Sequence, residues 1–210
     1  MATIVLVRHG ETAWNRDRRV QGWAAVPLND RGREQAVSLA TAIESRYDVD
    51  RLIASDLRRT LETARPIARK TGVSVEPSTG WRERDFGVFQ GLSYRELFSG
   101  YPEFAIGTSG YPAALARPES GESFIDHRER VLAAFDRLVD SLDSAETAVV
   151  VTHGGSLYQV LGRQKGLDIV ETVMDQSQGN GAINELAVDT ANGSVSIVSE
   201  NETTYRDTDR

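Results

Sequence analysis

Runs of consecutive apolar residues at 3–7 (TIVLV) and 147–151 (TAVVV) show no alternation, which predicts strands covered on both faces. Elsewhere apolar positions recur every three to four residues. Ala36, Leu39, Ala40 and Ile43 predict a helix over 31–46, and Leu57, Leu61, Ala64 and Ala68 predict one over 57–70. Val131, Phe135, Leu138 and Leu142 predict a helix ending near 143, opened by Ser123 three residues before Asp126 in the spacing of a capping box. Another helix is expected over 155–164, and short strands over 51–54 and 73–77. The segments 182–189 (AINELAVD) and 194–199 (SVSIVS), four residues apart, predict a closing hairpin. Strands alternating with helices predict a three-layer α/β/α sandwich around a mostly parallel central sheet, with its site at the carboxyl ends of the strands. Residues 92–120 carry Gly, Pro and aromatics without a sustained period and read as a short lid insertion in one domain spanning 1–210. The last eight or so residues are polar and expected to fray.

Composition narrows the function. The 210 residues are 40% hydrophobic and 26% charged, enough to bury a core without staples. The absence of cysteine excludes thiolate metal sites and thiol redox chemistry. The apolar run at the N-terminus is too short for a signal peptide or membrane span, so a cytoplasmic protein without membrane association is expected. A net charge of −7 argues against a nucleic-acid partner. All but two of the 24 basic residues are arginine, the exceptions being Lys70 and Lys165. Arginine is the side chain better suited to forked hydrogen bonds with phosphate.

Three segments each place charged or histidine residues just after a predicted strand: Arg8-His9-Gly10-Glu11-Thr12, Ser55-Asp56-Leu57-Arg58-Arg59 and Thr152-His153-Gly154-Gly155. In a parallel sheet all three meet at one edge. Arginine offers a planar fork of donors, neutral imidazole can serve as a covalent nucleophile, and helix starts near Arg59 and Gly154 add backbone N–H groups. That set suits phosphoryl transfer, which needs positioning and charge stabilisation above all. The missing part is a proton donor for the leaving oxygen, and Glu83 is the candidate.

These residues, in order along nearly the whole chain, resemble the histidine phosphatase superfamily. Residues 6–15 (LVRHGETAWN) look like its nucleophile segment. Gln21-Gly22-Trp23 with Pro27-Leu28 and Gly32 resembles the next block, and Ser55, Leu57, Arg59, Thr63 and Ala64 fall on S-x-L-x-R-A-x-x-T-A. Glu83, Gly87 and Gly91, then Gly121-Glu122-Ser123, then 151–155 complete the series. The resemblance implies that His9 attacks phosphorus and becomes phosphohistidine. Arg8, Arg59 and His153 would hold the phosphoryl oxygens, with Asn15 and the Gly154 N–H assisting, and Gln21 and Gly22 would touch substrate. Glu83 would protonate the leaving alcohol and then activate water, a role that calls for partial burial. No metal and no cofactor are implied, and the partner is a small phosphorylated substrate. The chain departs from the family pattern at Ala25, Thr60 and Phe89-Gln90, which bears on specificity more than on chemistry.

Three functions follow from this set: a small-metabolite phosphatase first, a cofactor-dependent phosphoglycerate mutase second, and a non-catalytic phospholigand-binding or regulatory protein third. The insertion favours the first over the second, because it holds only Arg95 and Arg117 for an additional acidic group. Monomer and homodimer are both open. Plainer readings stand beside the sharp ones. His127 is given a surface or structural role, Glu83 has a salt bridge to Arg82 or Arg84 as its alternative, and Arg58 is expected on an exposed helix face. The Arg16–Arg19 run is either a solvated face or a pocket rim. The insertion aromatics Tyr94, Phe98, Tyr101, Phe104 and Tyr111 either pack the insertion down or line a leaving-group pocket.

Overall fold

A computed structural model describes residues 1–174 and 177–206 of the chain. Six strands form one sheet in the order β3-β2-β4-β1-β5-β6: β1 (Ala2–Arg8), β2 (Arg51–Ser55), β3 (Val75–Ser78), β4 (Thr147–Thr152), β5 (Ile183–Asp189) and β6 (Ser194–Glu202). The β3-β2, β2-β4 and β4-β1 pairings are parallel, and the β5-β6 hairpin adds antiparallel on the far side of β1. The mostly parallel sheet predicted by the sequence is therefore present.

Both faces are covered, as the unbroken apolar runs require. Ile4, Leu6, Ala148 and Val150 pack with Val131, Phe135 and Leu138 of α7 (Phe124–Ser141) and with Leu157 and Leu161 of α8 (Gly154–Gln164). The intervening residues Val5, Val7, Val149 and Val151 face Leu39 and Ile43 of α2 (Asp30–Arg46) and Ala64 and Ile67 of α3 (Arg58–Thr71). The capping box at Ser123 is formed: its Oγ accepts from Asp126 N at 3.0 Å, and Ser123 N donates to Asp126 Oδ2 at 2.8 Å. Fixing the start of α7 there aligns the whole buried stripe down to Leu142.

Two elements escaped the periodic reading. A single turn, α1 (Ala13–Arg16), follows the first site segment and is capped by Thr12, and α9 (Ile169–Met174) packs behind α8. The 92–120 insertion is not irregular. It holds α4 (Tyr94–Gly100), α5 (Ile106–Ser109), α6 (Tyr111–Leu115) and a 3-10 turn at Pro102–Phe104, and α4 has its own capping box between Ser93 and Glu96. These pieces are too short to repeat an apolar stripe. They are seated by two small clusters, Val20, Phe89 and Leu97 in one and Ile106, Ala113, Ala114 and Ile169 in the other. Of the last eight residues, expected to fray, 207–210 lie outside the described residues, whereas Thr204–Arg206 form a 3-10 turn and Tyr205 is buried in the core cluster of α2 and α3.

Candidate active site

The carboxyl ends of β2, β4 and β1 lie side by side, and each delivers one of the three chemical segments. His9 follows β1, and its N–H donates to Thr152 O on β4 at 3.0 Å. The His9 ring is buried, and its Nδ1 lies 2.7 Å from Gly10 O. A carbonyl only accepts, so Nδ1 carries the proton and Nε2 keeps its lone pair. Burial first, then the charges of Arg59 and Arg8, pull the His9 pKa well below its ordinary value and keep the ring neutral. Gly10 is required by close approach, since a Cβ there would stand 2.4 Å from Gly32 O.

His153 is buried 5.2 Å away, centroid to centroid. Its Nδ1 accepts from Arg59 Nε at 3.2 Å, so its Nε2 is the protonated nitrogen and donates to Ser55 Oγ at 2.8 Å. Both ring nitrogens therefore serve protein partners. His153 holds Arg59 rather than presenting a free donor of its own. Burial and the Arg59 charge again depress its pKa. Arg59, 1% exposed, also donates to Gly22 O (2.8 Å) and Ala24 O (3.2 Å). Three of the five guanidinium N–H groups are thus fixed and two remain for a ligand. Burial pushes its pKa down to about 10, still a cation at neutral pH.

Arg8, Asn15, Gln21 and Gly22 join His9, Arg59 and Glu83 in lining one cavity of about 210 Å³. Arg8 Nη1 donates to Gln178 O. Asn15 Oδ1 accepts from Thr12 N (3.1 Å) and Asn180 Nδ2 (3.3 Å), which leaves its Nδ2 donor for the cavity. Gly154, by contrast, lies against Arg8, and it is Gly155 that reaches the cavity wall.

Glu83 sits opposite the arginines with a side chain 18% exposed. Its Oε1 accepts from Arg84 N (2.8 Å) and its Oε2 from Gly155 N (3.0 Å) at the start of α8. Its carbonyl is held by Trp23 Nε1 (2.7 Å) and Arg130 Nη2 (3.1 Å), and Trp23 lies under the Arg82 guanidinium at 4.4 Å. The alternative of a salt bridge to a neighbouring arginine does not hold. Arg82 pairs with Asp56 (2.6 and 2.5 Å), and Arg84 Nε donates to Glu122 O at 2.8 Å.

His127 overturns the surface reading. It is 1% exposed, lines the cavity, and its Nε2 lies 3.8 Å from Glu83 Oε1. Ser156 Oγ donates its proton to Arg82 O (2.9 Å), so the 3.3 Å contact has His127 Nε2–H donating to Ser156. The signal was in the sequence: His127 is four residues before Val131 and begins the same buried stripe. Of the insertion aromatics, Tyr94, Phe98 and Phe104 line the cavity, Tyr101 packs on Phe89, and Tyr111 is exposed. Arg16, Arg18 and Arg19 are exposed and line none of the cavity, and Arg58 is exposed, as expected, and pairs with Glu62. Arg84, Phe86, Phe124, Tyr158 and Gln159 also form the wall and were not singled out from the sequence. Gln90, a departure from the family pattern, supplies an acceptor to Trp23 N and Ala24 N (2.5 and 2.9 Å).

An α/β sandwich with two neutral histidines, buried cationic arginines and a carboxyl group around one cavity at the strand ends defines a phosphoryl-transfer enzyme. The chain belongs to the histidine phosphatase superfamily (branch 1), whose description matches residues 4–202, and it is a phosphoric monoester hydrolase of that superfamily. It is 41% identical over 162 residues to phosphoglycerate mutase-like protein 4 of Arabidopsis thaliana, covering 75% of this chain and 70% of that protein. It is 31% identical over 190 residues to glucosyl-3-phosphoglycerate phosphatase of Mycolicibacterium vanbaalenii, covering 88% and 83%. The structure of phosphoserine phosphatase from Entamoeba histolytica in complex with 3-phosphoglyceric acid superposes with a TM-score of 0.85 at 25% identity, covering 98% of this chain and 100% of that one. Among the described residues no helix is long and apolar enough to cross a membrane.

Proposed function

We propose that the protein hydrolyses a small phosphorylated metabolite through a phosphohistidine at His9, without a metal. The observation that carries this is the tautomer of His9: with Nδ1–H committed to Gly10 O, the Nε2 lone pair is the nucleophile, in a cavity that also presents Arg8, Arg59 and Glu83. Nε2 attacks phosphorus in line and the bond to the leaving oxygen breaks. Arg8, the two uncommitted N–H groups of Arg59 and the Asn15 amide bind the phosphoryl oxygens, which supports a charge compensation made by guanidinium groups. His153 acts through Arg59, keeping its fork in the plane that the phosphoryl group needs. Glu83 gives its proton to the leaving oxygen. It then takes one from the water that attacks phosphorus, and the P–N electron pair returns to His9.

The test is release of phosphate from p-nitrophenyl phosphate in EDTA by wild type and by His9→Ala, with 3-phosphoglycerate and 2,3-bisphosphoglycerate alongside. Chelator-resistant release that disappears in His9→Ala is expected. Silencing of the wild type by EDTA would overturn the mechanism, and bisphosphate-dependent isomerisation would replace the phosphatase with a mutase.

A further inference from the structure

The cavity joins two kinds of wall. Around His9 it is built from the phosphoryl-binding set, and beyond Glu83 it is walled by Phe86, Phe89, Phe98, Phe104 and Phe124. Besides Asn15 and Gln21, the same lining holds a third uncharged amide, Gln159, on α8 one turn after Ser156. The residue is 1% exposed, and its Oε1 is buried and meets no donor. The other buried amides differ: Gln21 contacts Thr12 Oγ1, Gln35 accepts from Glu11 N, and Gln178 and Asn184 exchange two hydrogen bonds. A buried acceptor without a donor is unfavourable, and a leucine or methionine would fill the same space without that penalty. The arrangement makes sense when a ligand donor completes it.

The charged surroundings point the same way. Arg84 is the cation of this wall, stacked on Phe124 at 3.8 Å and on Phe86 at 4.8 Å, with Nε committed to Glu122 O. Its charge already stands beside those of Glu122 and Asp126, so the wall offers little surplus positive potential to a second acidic group. Aromatic faces, a cation flanked by carboxylates and a buried acceptor that meets no donor fit an apolar body with one polar hydrogen.

We propose that the leaving group is a ring-sized, mainly apolar alcohol carrying one hydroxyl or N–H group, and that Gln159 accepts a hydrogen bond from that group. Gln159 is then a specificity-determining residue: it ranks esters by the leaving group and takes no part in the transfer of phosphorus. The inference rests on the phosphatase reading of the same site.

The experiment compares kcat/KM of wild type and Gln159→Met for phenyl phosphate, 3- and 4-hydroxyphenyl phosphate and 3-phosphoglycerate. These phenols leave with similar basicity, so a difference among the aryl esters reports recognition. Wild type is expected to prefer at least one hydroxylated ester over phenyl phosphate by about tenfold or more, and to turn over 3-phosphoglycerate less well than either. Gln159→Met should erase the preference, mainly through KM, while keeping phenyl phosphate turnover within about threefold; that retained turnover also shows the variant to be folded. Should the methionine variant not fold, Gln159→Leu takes its place. An unchanged preference in the variant, no preference in the wild type, or 3-phosphoglycerate as the best of the four would overturn the assignment of Gln159 while leaving the phosphatase standing. Release of phosphate from none of the esters, nor from p-nitrophenyl phosphate, would overturn both readings.

Discussion

At the scale of single residues, the site is set by which nitrogen holds a proton and which atom has room. Glu83 keeps its place because residue 155 has no side chain: a Cβ there would stand 2.1 Å from Glu83 Oε1. Gly155→Ala should therefore displace the carboxyl from the α8 N–H and lower kcat by roughly 10²-fold, the low end of what a positioned acid contributes. The melting temperature should move far less, because the added methyl meets the flexible end of a side chain. Kinetics and thermal unfolding of the same sample check this, and a fully active variant would deny Glu83 its role. Of the residues that sequence picked out, His9, Arg59 and Glu83 line one cavity, and His153 stands behind them, bonded to Arg59 and Ser55. Arg84 was not legible, since in Arg82-Glu83-Arg84-Asp85 nothing separates a buried arginine from exposed neighbours. Gln159 was equally silent, because an amide on a helix carries no sign of whether a partner awaits it.

At the scale of elements, the long pieces were written in periodicity and the short ones were not. Strands β1 and β4 announced themselves as unbroken apolar runs, and α7 by its cap and stripe. The turns α4 to α6 hold four to seven residues each, less than the two helical turns over which a stripe can repeat. The cap of α4 was nevertheless readable at Ser93-x-x-Glu96, a signal independent of period. Ser123 makes the equivalent cap for α7, and Ser123→Ala is expected to cost about 1 kcal/mol of stability without changing KM, since the helix core still anchors His127. Urea unfolding beside steady-state kinetics measures both, and a large change in KM would instead tie this helix start to substrate binding.

At the scale of the whole molecule, His9, His127 and His153 are all buried and all held neutral, chiefly by desolvation. Their folded pKa values lie below the unfolded value of about 6.5. Below that pH the unfolded chain binds protons that the folded chain refuses, so stability falls as pH falls. The slope is at most about 1.4 kcal/mol per pH unit for each histidine. Asp56, Glu62 and Asp126, with lowered pKa values, add loss of the same sign further into acid. Calorimetry from pH 7.5 to 5 should show a declining melting temperature that steepens below pH 6.5, and a flat profile would contradict neutral burial of the three rings. The same contacts have a consequence for how substrates are sorted. Glu83 is tied to α8, His153 opens that helix and carries Arg59, and His9 is bonded to the strand leading into it. The proposed nucleophile, anchor and acid thus ride on one hydrogen-bonded frame, assembled when the chain folds. An ester is then judged against a fixed mould: ill-fitting compounds are turned away at entry, and those that fit meet a catalytic set already in position.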